Sequence, residues 1–199
     1  MYSTTRSQYK ETMILAFDDG YFPPSYKARR GKTLLVGVYT DEKTTIEAIA
    51  YKLVTVDGRE TTSTIIEIAE YLPSNIIFLD GITYAGFDVV DPDMIHNATG
   101  ATVVVLQQYP LNLSRIKAAL EKHFEDHEER YMVIEETYKK MRYLQTPWKT
   151  IQYYVVPETP GIAKLLRELM IYSPVPEPLR IAHIVASTTS REMHHKGII

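Results

Sequence analysis

Residues 75–81 read NIIFLDG and residues 12–20 read TMILAFDDG, and these two short apolar runs, each cut off by aspartate and glycine, decide the fold. A short apolar run bounded by turn chemistry reads as a buried strand. If the later strand returns by a right-handed crossover to lie parallel beside the earlier one, Asp18 or Asp19 and Asp80 reach neighbouring strand tips. Strands lie about 4.8 Å apart, so these carboxylates would repel one another unless a divalent cation, a shared proton or a basic group offsets the charge.

Working outward, strands are expected over 12–17, 33–40 and 45–56, the last with the partial alternation of a strand covered on one face. The period changes at Asp57-Gly58, and 60–72 places Ile65, Ala69 and Leu72 on one helical face. A strand over 75–79 follows, then a helix capped by Asp91 with Pro92 at its first position, a strand over 101–106 and a helix over 114–123. The charged stretch 126–142 fits helix or strand, 150–156 is a strand, 161–171 a helix, and SPVPEP at 173–178 breaks the chain before a final helix from 179. Three strands joined by short connections form an antiparallel meander before the crossovers begin. That order is the one of a ribonuclease-H-like α/β fold: a mixed sheet, the meander followed by parallel strands, with helices on both faces. No repeat or linker divides residues 1–199, so one domain with a C-terminal helical extension is expected.

The 199 residues include no cysteine, which excludes thiolate zinc sites and cysteine nucleophiles and fits a reducing, cytoplasmic setting. No apolar run approaches the length of about 20 residues that a membrane helix needs. With 22 basic against 25 acidic residues the net charge is −3, so any nucleic-acid partner must be held locally. Lys27, Arg29, Arg30 and Lys32 form the dense basic cluster that could grip a phosphate backbone, as alternative to a solvated loop face. Beside them, YFPPSY at 21–26 offers Tyr21 to stack on bases, and the 81–87 loop offers Tyr84.

Glu60, at the start of the first long helix, adds a third carboxylate. Asp18, Asp19, Glu60 and Asp80 then form a candidate catalytic set, with Asp18, Glu60 and Asp80 as ligands of Mg2+ or Mn2+ for attack of water on a phosphodiester. Taken singly each acid also reads as an ordinary turn or helix-start residue. Asp88 and Asp91 follow the loop, Asp91 as an N-cap. His183 reads as a core histidine on an apolar helix face, and His194 and His195 as an exposed tail pair.

With FDDGYF at 17–22, VDGRETT at 56–62 and FLDGITYAGFDVVD at 78–91 in that order, the chain resembles an archaeal family associated with endonuclease dU activity and distantly related to endonuclease V. The resemblance implies a ribonuclease-H-like fold and metal-dependent cleavage of DNA near deaminated bases such as uracil or hypoxanthine, a repair role; a hydrolase of some other structured nucleic acid, including RNA, would use the same metal site. It assigns the endonuclease V catalytic aspartates to Asp18 and Asp80, its helix-start glutamate to Glu60, and makes Asp19 an additional acid. The proline-tyrosine wedge that endonuclease V carries between its second and third strands is missing here; YFPPSY lies in an earlier loop. A non-catalytic nucleic-acid-binding or interaction module on the same fold is the competing reading.

Overall fold

The computed structural model describes residues 12–199, with backbone alone for Ala28 and Arg29. Seven strands form one sheet in the order β3-β2-β1-β4-β7-β9-β8. β1 (Ile14–Asp19), β2 (Lys32–Thr40) and β3 (Ile46–Thr55) make the antiparallel meander, and β4 (Ile76–Asp80) and β7 (Thr102–Gln107) continue it in parallel with β1. β9 (Thr150–Val156) and β8 (Arg142–Gln145) then close the sheet antiparallel. The mixed sheet expected from the strand order is therefore present, extended by two antiparallel strands at its far side. β5 (Thr83–Tyr84) and β6 (Asp88–Val89) form a separate small hairpin in the loop after β4.

The central strands are apolar throughout because both of their faces are covered. Leu15, Phe17, Ile77, Leu79, Val103 and Val105 pack on one side against α2 (Thr61–Tyr71), α3 (Pro92–Thr99), α4 (Leu113–His123) and α5 (His127–Lys140). Ile14, Ala16, Ile76, Phe78, Val104 and Leu106 face the other way, towards α6 (Ile162–Leu169) and the start of α7 (Glu177–His195). Further along, Ala182 and Ala186 of α7 sit on Leu34, Val36 and Val38 of β2. Small residues let the helix lie close to the sheet, and α7 thereby reaches the tip of β1.

Three local outcomes depart from the sequence reading. The loop over 21–32 contains a short helix, α1 (Ser25–Arg29), led in by Pro24. The stretch 126–142 is helical to Lys140 and turns to strand at Arg142. Both β1 and β4 run on through their aspartates, so Asp19 and Asp80 are the last residues of strands. Among the described residues, no helix is long and apolar enough to cross a membrane.

Gly37 sits opposite Phe17 in the β1–β2 ladder, and a Cβ added there would lie 2.8 Å from the Phe17 ring. Gly37→Val must push that ring, one residue from Asp18, out of a fully buried position. Overpacking of this kind costs about 1–3 kcal/mol. The variant's melting temperature should fall by roughly 2–10 °C in a thermal melt.

Candidate active site

The parallel register pairs Phe17 with Leu79, so Asp18 and Asp80 follow one step later at adjacent tips. The meander positions β1 at the centre, and the crossover through α2 sets β4 beside it. Asp18 is only 6 % exposed. Burial first, then the charge of Asp80, pushes its carboxyl up to about 8, against the pull of the Asp19 amide. Burial and the Asp18 charge raise Asp19 to about 7. Burial also raises Asp80, with Gln108, His183 and Lys149 pulling it back. Burial above all thus disfavours the charged form of all three acids at these neighbouring tips.

The loop after β4 is built around this cluster. Tyr84 is fully buried, and its hydroxyl accepts from the Asp80 amide (2.9 Å) while donating to the Phe17 carbonyl (3.1 Å). It therefore ties the two strand tips together from below. The expectation that Tyr84 contacts nucleic acid is corrected by this burial: no face of the ring is open to a partner. The Ala85 amide donates to Asp19 Oδ2 at 2.9 Å. Ala85 also accepts through its carbonyl from the Asp57 amide at 2.7 Å, and Asp57 Oδ1 accepts from the Phe87 amide at 2.8 Å. Asp57 and Ala85 hold positive φ values of 58° and 43°, sparsely populated conformations for residues with side chains. Gly86 must be glycine, because a Cβ there would lie 2.3 Å from Asp57 Oδ1.

Arg130 of α5 reinforces the same clasp. Its buried guanidinium donates to the Phe87 carbonyl and to the Asp57 carbonyl (3.4 Å), pairs with Asp126 at 2.9 Å and stacks 4.4 Å from the Phe124 ring centre. Asp88 bonds the start of α2 through Thr61, whose amide and hydroxyl donate to Asp88 Oδ2. Asp91 caps α3 as expected, accepting from the Met94 amide at 3.0 Å.

Glu60 does not join the aspartates. Its Oε1 accepts from the Thr55 amide at 2.6 Å and lies 3.4 Å from Lys32 Nζ, and its Oε2 accepts from the Arg59 amide at 3.1 Å. These bonds turn the side chain back onto the β3–α2 turn, so Glu60 braces that turn and Lys32 is occupied with it. The sequence reading overlooked Asp57, although the signal was present: like β1 and β4, the β3 segment runs into aspartate-glycine, at Asp57-Gly58.

His183 is also corrected. Its side chain is 63 % exposed, and Nδ1 lies 2.6 Å from Asp18 Oδ2. The ring thus stands on the buried acid of the cluster, with Nε2 3.5 Å from Ser187 Oγ. No local pattern marks this contact, because it depends on where α7 crosses the sheet. Nor are the final histidines a stray pair: His194 packs edge-on against Tyr21 and Tyr26.

Two larger clefts involve residues of the loops that leave these strands. One, of about 1010 Å3, is lined by Lys27, Arg30, Arg59, Arg130 and Phe87 together with Asp57, Glu125 and Asp126, Arg59 and Arg130 being paired with Asp126. The structure brings Lys27 and Arg30 of the basic cluster to this groove; the expectation for Arg29 falls outside the described side chains. The other cleft lies between Tyr21 and α7. A smaller cavity of about 260 Å3 opens beside Asp80, bounded by Gly81, Thr83, Phe87, Gln107, Gln108 and Tyr109.

A ribonuclease-H-like sheet with acids at the tips of its central strands is the fold and site of a nuclease class. Human endonuclease V shares that fold at a TM-score of 0.56 and 13 % identity, over 95 % of this chain and 87 % of that one. An endonuclease V of Ciona intestinalis, solved with DNA containing an inosine, does so at 0.56 and 12 %, over 96 % and 89 %. The chain belongs to the endonuclease dU family, whose model matches residues 10–190. The UPF0215 protein of Pyrococcus furiosus is 36 % identical over 188 residues, 92 % of this chain and 94 % of that one. A protein of unknown function from Archaeoglobus fulgidus superposes at a TM-score of 0.74 with 25 % identity, over 90 % and 98 % of the two chains.

The bracing role of Glu60 gives a pH-dependent expectation. Partial burial raises its carboxyl, but the Thr55 and Arg59 amides and Lys32 outweigh this and hold it at about 2, below the ordinary 4.5. A depressed carboxyl stabilises the fold above its ordinary value, and that stabilisation is lost as pH falls through the folded value. Glu60→Ala should cost about 1–2 kcal/mol near neutral pH, the loss of a charged hydrogen bond at a half-exposed site. Paired melts of wild type and variant should show the gap closing as pH falls from about 5 towards 2.

Proposed function

We propose that the protein is a divalent-metal-dependent endonuclease that hydrolyses phosphodiester bonds in DNA next to deaminated bases, uracil or hypoxanthine. The observation that carries this reading is the cluster of Asp18, buried, with Asp19 and Asp80, partly buried, at adjacent tips with His183 on top. Family membership supports a nuclease, and the inosine-containing DNA held by the C. intestinalis relative supports a deaminated substrate.

The donor set fits Mg2+ or Mn2+. These hard cations prefer carboxylate oxygens on an open rim, and a bound cation would take the place of the protons that burial favours on the cluster. Asp18 and Asp80, joined by Asp19, would hold the ion; Glu60, bonded to the Thr55 amide, would keep the β3–α2 turn in place instead. Among the described residues no group of three such side chains is preformed as a cation site. When bound, the ion supplies Lewis acidity towards the phosphoryl group and lowers the pKa of water. The chain's own residues do the rest. His183 Nδ1 holds Asp18 in place, and its Nε2 is set to exchange a proton with the reacting oxygens. Lys27 and Arg30 grip the backbone along the basic groove. The cavity beside Asp80 is lined by Gln107, whose side-chain nitrogen donates to the Tyr109 carbonyl, and by Gln108, Phe87 and Tyr109, a polar and aromatic lining that suits a base. A cysteine-free chain with these features suits work in the reducing cytoplasm.

Cleavage of end-labelled duplexes carrying one uracil or one hypoxanthine, with Mg2+, Mn2+ or chelator, tests the reading. Wild type should nick these in a metal-dependent way. Asp80→Ala should lose at least about 100-fold and His183→Ala a comparable factor, whereas Glu60→Ala should keep its rate to within a few-fold where it is folded. Wild type that binds DNA but cuts no substrate would overturn the nuclease reading in favour of a binding module.

A further inference from the structure

The loop that leaves Asp18 and Asp19 is fastened directly to α7. The Tyr21 amide donates to Ser190 Oγ at 2.7 Å, and Gly20 comes so close that a Cβ would lie 2.6 Å from Ser190 Cβ. This fixes the Tyr21 ring beside the last turns of α7, where it remains 37 % exposed. The Arg191 guanidinium lies 4.4 Å from the ring centre. His194 wedges its edge against both Tyr21 (5.8 Å, 87°) and Tyr26 (4.9 Å, 71°), and His194 Nε2 is buried without a partner among the described residues. Together these residues wall an open cleft of about 1000 Å3.

The cleft and the acidic cluster lie along the same helix, the cleft on Thr188, Arg191 and His194 and the cluster against His183. His183, Ser187 and Arg191 are four residues apart in turn and share one face of α7. From His183, on Asp18, to Arg191 is about 12 Å along the helix axis. That is the length of roughly three to four stacked nucleotides at about 3.4 Å each. A polymer crossing the aspartates must leave on both sides, and the basic groove with Lys27 and Arg30 serves only the α4–α5 side. On the α7 side the chemistry differs: the rings of Tyr21, Tyr26, His194 and His195 with the Arg191 guanidinium, and Glu192, whose carboxylate is paired with Lys196, rather than several cations. Rings stack on base faces, which a duplex hides and an unpaired strand offers.

We propose that the cleft of Tyr21, Tyr26, Arg191 and His194 is a stacking shelf for an unpaired nucleic-acid strand leaving the aspartate cluster. This rests on the nuclease reading for its direction, since the cluster is where the strand comes from. Arg191 meets the phosphates and caps the Tyr21 ring, and His194 keeps the two tyrosines apart so that bases can enter between Tyr21 and the solvent edge.

The test is fluorescence anisotropy with labelled oligodeoxythymidine, oligouridine and a fully paired duplex, all in chelator so that nothing is cut. Wild type should bind both single strands. Tyr21→Ala and Arg191→Gln should each weaken that binding at least about five-fold, Tyr21→Phe should keep it, and duplex affinity should shift by less than about two-fold. Should Tyr21→Ala melt early, Thr188→Glu takes its place, a like-charged insertion at an exposed position of the same wall. Absence of single-strand binding, or equal binding by wild type, Arg191→Gln and Tyr21→Ala or Thr188→Glu, would overturn the shelf. Tyr21-dependent binding by a wild type that cleaves nothing in Mg2+ would sink the nuclease reading and leave the shelf standing. Cleavage with Tyr21-independent binding would do the reverse.

Discussion

Asp18, Asp19 and Asp80 repel one another at the tips of two neighbouring parallel strands, and much of the molecule is arranged to hold them there. Carboxylates left buried without a counter-charge are costly, so they persist only where the backbone fixes them. Tyr84 does so from beneath, bridging the Asp80 amide and the Phe17 carbonyl. The Ala85 amide holds Asp19, and Ala85 is in turn locked to Asp57, with Arg130 clamping the Asp57 and Phe87 carbonyls from α5. His183 reaches Asp18 from the opposite face of the sheet. Elements from both layers therefore converge on one charged point.

Around that point the surface divides by chemistry. The α4–α5 side presents cations along a groove, suited to backbone phosphates. The α7 side presents rings and one guanidinium. The cavity beside Asp80 presents side-chain amides and glycine. A net charge of −3 is compatible with this because basic groups such as Lys27 and Arg30 are gathered locally.

The sheet was legible because the apolar runs around Phe17 and Leu79 each end in aspartate-glycine, which sets both strand type and strand end. The helix α5 was ambiguous for a physical reason: its buried stripe is Arg130, Ile134 and Thr137, so an arginine stands where apolar periodicity would be read. Asp18 and Asp80 could be paired from topology alone. Glu60 stood at a helix start, where an acid is expected, but its carboxylate bonds the Thr55 amide five residues back and faces away from the tips. Asp57 carried the same aspartate-glycine signal as the other two tips yet was read only as a change of period. His183 and Tyr84 were beyond local reading, since the role of each depends on contacts with distant strands.

The most direct measurement is calorimetric titration of Mn2+ into wild type and Asp80→Asn near pH 6.5, in two buffers of different ionisation enthalpy. With Asp18 raised to about 8 and Asp19 to about 7, the cluster is partly protonated there, and an ion that binds it must expel protons. Mn2+ binding to wild type with proton release, weakened at least about ten-fold in the variant, is the predicted result. Binding without proton release, or equal binding by both proteins, would contradict the assignment of the aspartates as the cation site.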